Sequence, residues 1–368
     1  MSSTAIMDDD DSNPPLMATY KHLLEPPPHR LDGRTTTTMN KDDDVSRCVV
    51  VLPVIDLQQL DEEQCRASMV RAASEWGFFQ VINHGVPQAL LDKLHEAQVA
   101  VFRRPFERKV REPLLQFSPE SYRWGTPTAT SLEQLSWSEA YHIPMTASSL
   151  ITPPAPGDDK LMTTRLVIEE VSTAMWKLAQ QLAGILVAAD QPSEEEDSGM
   201  VVRCTRSTCF LRLNRYPACD AAAASDAFGL CPHTDSDVLT IVHLQDAVAG
   251  LQLLQVRGSR RWVAVEPNPG ALMAWSNDRY RSVEHRVMAS AARERFSVAF
   301  FLCPGSDTLI RPRSSSRTRR YRSFTSGEYR NQVREDVRLT GRKLGLQRFR
   351  RLKQQQQQEQ DLQQGGPL

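Results

Sequence analysis

Apolar positions fall into two textures along this chain. Cys48–Ile55 is a β-branched run that predicts a strand, and Phe78–Ile82 predicts a second. Between them, residues 58–76 set Leu60, Cys65, Met69 and Ala72 near one face of a helix. Asn83-His84-Gly85 reads as a turn in which His84 has a structural role, and Pro87 opens a helix running to about Arg104. A further amphipathic helix covers Leu161 to Ala188. From Thr208 to Pro304 the pattern shortens to closely spaced β-type runs: Cys209–Leu213, Val238–Leu244, Leu251–Leu254, Trp262–Val265 and Phe296–Leu302. That spacing predicts an antiparallel sandwich or barrel. Residues 323–350 return to helix.

The two ends differ from this middle. Residues 1–47 are polar and broken by Pro26-Pro27-Pro28, Thr35–Thr38 and Asp42–Asp44, which predicts a disordered leader. Residues 354–368 form a Gln-rich tail of the same kind. The ordered chain then divides into a helical and mixed portion at 48–200, a β core at 201–310 and a helical cap at 311–353.

Composition narrows the class. Apolar residues make up 40% of the 368, enough for a sizeable core, and the net charge of −1 gives no basic excess for nucleic acid. Residues 311–353 do hold 15 Arg or Lys against 3 Asp or Glu, but no aromatic ladder accompanies them, so they read as a solvated face. Seven cysteines without zinc-type spacing suggest reduced thiols, hence a cytoplasmic protein or a cytoplasmic and nuclear one. No apolar run approaches the ~18 residues of a membrane helix. A monomer without membrane or nucleic-acid partners is expected.

Candidate chemistry begins at His233-Thr234-Asp235. Positions i and i+2 of an extended strand share a face, so both side chains can reach one ion. A second imidazole would complete the two-His, one-carboxylate set that leaves positions open on Fe(II). His285 is taken as that group. His243 shares strand parity with His233 but lies ten residues on, on the order of 30 Å along an extended chain. Arg295 and Ser297 share another strand face and suit a distal carboxylate, the guanidinium by a two-pronged contact. Tyr216, in Asn214-Arg215-Tyr216-Pro217, could add a phenol donor.

Taken in order, several stretches resemble the plant-type 2-oxoglutarate- and Fe(II)-dependent dioxygenases. They are Leu52–Leu57, Trp76–Pro87, Leu213–Pro217, His233–Asp235, Ala274-Trp-Ser-Asn277, Ser282–Arg286 and Arg295–Ser297. The resemblance implies a mainly β fold with flanking helices, built on a double-stranded β-helix (jelly roll). It also implies iron on His233, Asp235 and His285, which are the catalytic set, and 2-oxoglutarate on Tyr216, Arg295 and Ser297. O2 is the co-substrate and ascorbate the reductant. Ser136–Pro144 and Tyr321–Tyr329 resemble the gibberellin 2-oxidases that act on C20 gibberellins, implying 2β-hydroxylation of a gibberellin and inactivation of the hormone or its precursor. Trp137, Tyr141 and Arg212 are the candidate substrate contacts. Gibberellin 20- or 3-oxidase and flavonoid oxidase remain alternatives of the same chemistry.

One departure stands out. After Pro269-Gly270, Ala271-Leu272-Met273 runs directly into Ala274-Trp275, where relatives continue with a strand and a Gly-Asp turn. The expectation is a core lacking one strand near 270–275, with His285 delivered inaccurately. A catalytically impaired binding protein is therefore the reading from a different functional class.

Overall fold

Pro53 splits the first β-branched run. It offers no N–H to a ladder, and the chain forms β1 (Val49–Val50) and β2 (Val54–Asp56), which enter different sheets. The computed structural model describes residues 11–24, 49–58, 62–111, 121–145, 159–188, 204–219, 227–245, 248–255, 260–266, 268, 271–274, 282–310, 321–340 and 343–351. The Gln-rich tail, most of the leader and Trp275–Asn277 lie outside them.

The helices are α1 (Leu16–Leu24), α2 (Glu62–Glu75), α3 (Gln88–Phe102), α4 (Phe106–Arg111), α5 (Asp159–Ala188) and α6 (Ser326–Thr340). Before the core come β3 (Phe78–Ile82), β4 (Tyr122–Trp124) and β5 (Glu139–Pro144). The core itself is β6 (Phe210–Tyr216), β7 (Phe228–His233), β8 (Leu239–Leu244), β9 (Leu251–Gln255), β10 (Arg261–Val265), β11 (Ala271–Ala274), β12 (His285–Met288) and β13 (Arg295–Leu302). A small ribbon of β14 (Leu309–Ile310) and β15 (Phe324–Thr325) precedes α6.

The large sheet has the order β2-β3-β11-β8-β13-β6-β5-β4, and the small one β1-β10-β9-β12-β7. The eight strands β6–β13 cross between the two sheets as a jelly roll does. Strands β1, β3 and β5 pair with them, and β2 and β4 extend the large sheet beyond β3 and β5, so both sheets are shared across the division at 200/201. Two apolar clusters hold this together. Leu244, Leu253, Val263, Val265 and Val287 fill the space between the sheets. On the outer face of the large sheet, Val298 and Phe300 pack against α3 and α5. Helix α5 contributes Val171, Met175, Leu178 and Leu182, spaced three and four apart so that they form one stripe.

Two expectations are corrected. The strand expected to be missing is present: β11 is only four residues long, yet it pairs antiparallel with β3 through Leu272↔Phe79 and with β8 through Leu272↔Ile241. Its ladder partners are supplied on both flanks, so the core keeps eight strands. The leader is also structured in part. Leu16 and Tyr20 of α1 are buried against Leu135 and Trp137, and the Tyr20 hydroxyl donates to the Ser136 carbonyl. Leu23 and Leu24 pack on the same cluster, so a short apolar helix docks within a leader whose overall composition is polar.

The turn at 83–85 joins β3 to the segment that opens α3. Asn83 takes φ 53° and its amide donates to Asp56 Oδ1, while His84 Nδ1 accepts the Val86 N–H. No helix among the described residues is long and apolar enough to cross a membrane.

Candidate active site

The register between β7 and β12 sets His233 directly opposite His285, with ring centroids 4.3 Å apart. Both imidazoles are turned the same way: Nδ1 of His233 meets the Cys231 carbonyl at 2.8 Å, and Nδ1 of His285 meets the Val283 carbonyl at 3.1 Å. Those contacts put the ring protons on Nδ1 and leave both Nε2 lone pairs for a ligand. Each Nε2 faces Asp235 Oδ1, at 3.7 Å from His233 and 3.8 Å from His285. These gaps are too long for hydrogen bonds. Asp235 is not on the strand as the i, i+2 reasoning assumed. β7 ends at His233, and Asp235 turns inward from the connection to β8, its Oδ2 accepting from Thr240 Oγ1 at 2.8 Å.

Electrostatics agree with that geometry. Burial pushes the His233 imidazole down to about 3, with His285 acting in the same direction, so the ring is neutral. Burial alone would raise Asp235, but His285, His233 and Lys343 outweigh it and hold the carboxyl below its ordinary value. Two imidazoles and one carboxylate, with one ligand atom from each lying within 4.8 Å of the others, fit a divalent first-row metal with free positions. His243 is excluded from the set. It pairs with Val298, whose side chain belongs to the outer cluster, so its ring points away from the barrel interior.

Tyr216, Arg295 and Ser297 converge nearby. The β6–β13 register pairs Arg295 with Tyr216 and Ser297 with Asn214, and all four are buried. The Arg295 guanidinium lies 5.1 Å from the Tyr216 ring centroid, and Asn214 Nδ2 reaches Ser297 Oγ at 3.4 Å. Small residues make room for them. A Cβ on Gly229 would fall 2.8 Å from Tyr216 Cδ1, and one on Gly250 would fall 3.7 Å from Arg295 Cδ. Both glycines also border Val287, two residues along β12 from His285, a separation of roughly 7 Å. That is the reach of a short diacid with one end at Arg295 and the other at the imidazoles.

Of the three candidate substrate contacts, only Arg212 faces this interior, since it shares strand parity with Asn214 and Tyr216. Burial lowers its pKa, Arg123 adds to the effect, and Tyr216 and Asp235 oppose it. Tyr141 has the opposite parity. It is buried on the outer face, with its hydroxyl donating to the Lys109 carbonyl. Trp137 packs with Tyr20 and Leu135 in the cluster around α1. Neither therefore belongs to the pocket around Asp235.

Sequence reasoning missed the supports. Thr240 was detectable, because it sits on the inward parity of β8. Lys343, which donates to the Thr234 carbonyl between two metal-site residues, carries no local signal. Behind the large sheet lies a buried ionic cluster. Glu139 accepts from Lys109 Nζ, Tyr122 Oη and Arg215 Nη1, and Arg215 Nε reaches Glu294 Oε2 at 2.8 Å. Lys109 also donates to the Ser12 carbonyl, and Arg215 to Asn13 Oδ1, so the segment before α1 helps to complete the cluster.

Comparison with known proteins fits this architecture. The 2OG-Fe(II) oxygenase superfamily matches residues 207–304, and the non-haem dioxygenase in morphine synthesis N-terminal family matches residues 52–159. Gibberellin 2-beta-dioxygenase 5 of Oryza sativa subsp. japonica is 62% identical over 321 residues, covering 83% of this chain and 89% of its own. Gibberellin 2-beta-dioxygenase 8 of Arabidopsis thaliana is 46% identical over 315 residues, covering 82% and 87%. Among solved structures, JOX2 in complex with 2OG, Fe and JA superimposes with a TM-score of 0.64 at 30% identity, covering 85% of this chain and 92% of that one. The rice dioxygenase for auxin oxidation gives a TM-score of 0.62 at 27% identity, covering 82% and 100%. The chain belongs to the 2OG-Fe(II) oxygenase superfamily, as an Fe(II)- and 2-oxoglutarate-dependent dioxygenase.

Proposed function

We propose that this enzyme hydroxylates a gibberellin at the 2β position and thereby inactivates the hormone or its C20 precursor. The observation that carries the proposal is the pairing of one interior with one set of relatives. Two free Nε2 atoms and a carboxylate face each other beside a buried Arg-Tyr pair, in a chain 62% identical to a gibberellin 2-beta-dioxygenase.

In this reading His233, Asp235 and His285 hold Fe(II), while Arg295, Ser297 and Tyr216 hold the distal carboxylate of 2-oxoglutarate. Iron, when bound, supplies the O2 chemistry that no side chain provides. Atoms balance as 2-oxoglutarate, O2 and a C–H bond giving succinate, CO2 and a C–OH group. The protein's own work is positional. The Cys231 and Val283 carbonyls fix both imidazole tautomers, and Thr240 orients the carboxylate. With β11 paired on both flanks, the reading as a binding protein without turnover loses its basis.

A monomer acting on a small molecule in the cytoplasm, or in cytoplasm and nucleus, completes the proposal. Six described cysteines free of disulfides support such a location. The test is incubation with Fe(II), ascorbate, 2-oxoglutarate and a C20 gibberellin, following succinate and product together. A 2β-hydroxylated product formed one-to-one with succinate is expected. Hydroxylation at another carbon would move the enzyme to a different oxidase class, and turnover of a flavonoid alone would overturn the substrate.

A further inference from the structure

The inner face of the large sheet carries cationic groups that neither the metal nor 2-oxoglutarate accounts for, Arg212 foremost among them. Arg212 lies four residues before Tyr216 on β6, so the two backbone positions are roughly 13 Å apart and Arg212 is remote from the Arg295 end. Among the described residues no hydrogen bond or ion pair engages its guanidinium. Half-buried on that face, the guanidinium offers five donors to an incoming anion.

What surrounds Arg212 describes the rest of that anion. Across the ladders it faces His142 on β5 and Ala299 on β13, the alanine leaving open space. The His142 ring stacks on Phe210 at 4.0 Å, and Phe210 stacks on Phe301 at 4.4 Å and 17°. Phe301 in turn pairs with Thr240, the residue bonded to Asp235. A row of three stacked rings thus runs from the strand next to Arg212 to Phe301, one ladder position from the threonine that holds the metal-site carboxylate. Arg123, in a cross-strand row with Ala140 and Asn214, sets a second guanidinium on the same face.

We propose that Arg212 binds the carboxylate of the substrate and that the stacked rings of His142, Phe210 and Phe301 carry its hydrocarbon skeleton. The barrel then selects apolar carboxylic acids, and an acid held this way presents its carbon frame to the metal-site end. The proposal builds on the oxygenase reading but does not require the acid to be a gibberellin.

The test compares free acids with their methyl esters in the iron-loaded full chain, using a C20 gibberellin, jasmonic acid and indole-3-acetic acid. Substrate-dependent succinate release gives kcat and KM. The acid of the turned-over compound is expected to beat its ester in kcat/KM by on the order of tenfold or more, the size of one charge-assisted contact. Arg212→Met should bring that ratio close to one, Arg212→Lys should restore part of it, and Phe210→Ala should raise KM for acid and ester alike. An acid-to-ester ratio near one in the unmodified enzyme overturns the subsite, as does an unchanged ratio in Arg212→Met. If Arg212→Met fails to fold, a Lys variant that prefers the ester overturns it. Turnover of jasmonic or indole-3-acetic acid but no gibberellin would remove the gibberellin assignment and leave the subsite standing. Turnover of none of the six compounds overturns both.

Discussion

Arg215 and Glu294 pair at 2.8 Å on the outer face of the large sheet, directly behind Tyr216 and Arg295 on its inner face. Alternation along β6 and β13 makes this a back-to-back arrangement, with consecutive residues serving opposite sides. The outer pair fixes how the two strands meet, and the inner pair inherits that alignment. Glu294→Gln should raise the 2-oxoglutarate concentration for half-saturation by on the order of a few-fold to tenfold. Initial rates against 2-oxoglutarate at saturating substrate check it, and an unchanged half-saturation would refute the linkage.

Removing a metal ligand should be far more severe. His233→Ala, Asp235→Ala and His285→Ala each leave two donors where three converge. Each should lose iron on gel filtration and show no substrate-dependent succinate release, as should the unmodified enzyme after chelation. His243→Ala should retain its iron, because that ring faces the outer cluster. Metal content of the purified variants decides between the two histidines.

For 2-oxoglutarate, Arg295→Ala should raise KM on the order of a hundredfold, since a buried charge-assisted contact contributes about 1.5–3 kcal/mol. Gly229→Ala gives an independent check, because its Cβ would press on the Tyr216 ring at 2.8 Å. The same direction and a smaller magnitude are expected. If 2-oxoglutarate KM stayed constant in both, these residues would not form its site.

Glu139 should matter for folding. Its carboxylate is fully buried between Lys109 and Arg215. Glu139→Ala strands two buried cations and is expected to cost about 3–5 kcal/mol of stability. Urea unfolding at fixed pH measures it. A loss below 1 kcal/mol would mean that the cluster relaxes with water.

Much of this was legible in the sequence because it rests on short-range periodicity. The runs from Cys209 to Leu302 name most of the core strands, and two-residue spacing pairs Arg295 with Ser297 on one face. What escaped depends on register between distant strands. Nothing local says that Tyr141 faces outward while Arg212 faces inward, since that follows from how β5 aligns on β6. Glu139, Lys109 and Arg215 each look like surface charges until three elements bring them together. The short β11 misled for a related reason. The shortening relative to the family's pattern predicted a gap, whereas two flanking partners need only four residues to close the sheet.

The double duty of β6 limits where this enzyme can change. Its inward positions serve the ligands and Arg215 serves the ionic cluster, so a substitution there disturbs catalysis or folding at once. The last two strands of the large sheet, β5 and the edge strand β4, reach the same interior through His142 and Arg123. New substrate preferences in relatives of this chain should therefore arise at that rim, where variation leaves iron and keto acid untouched.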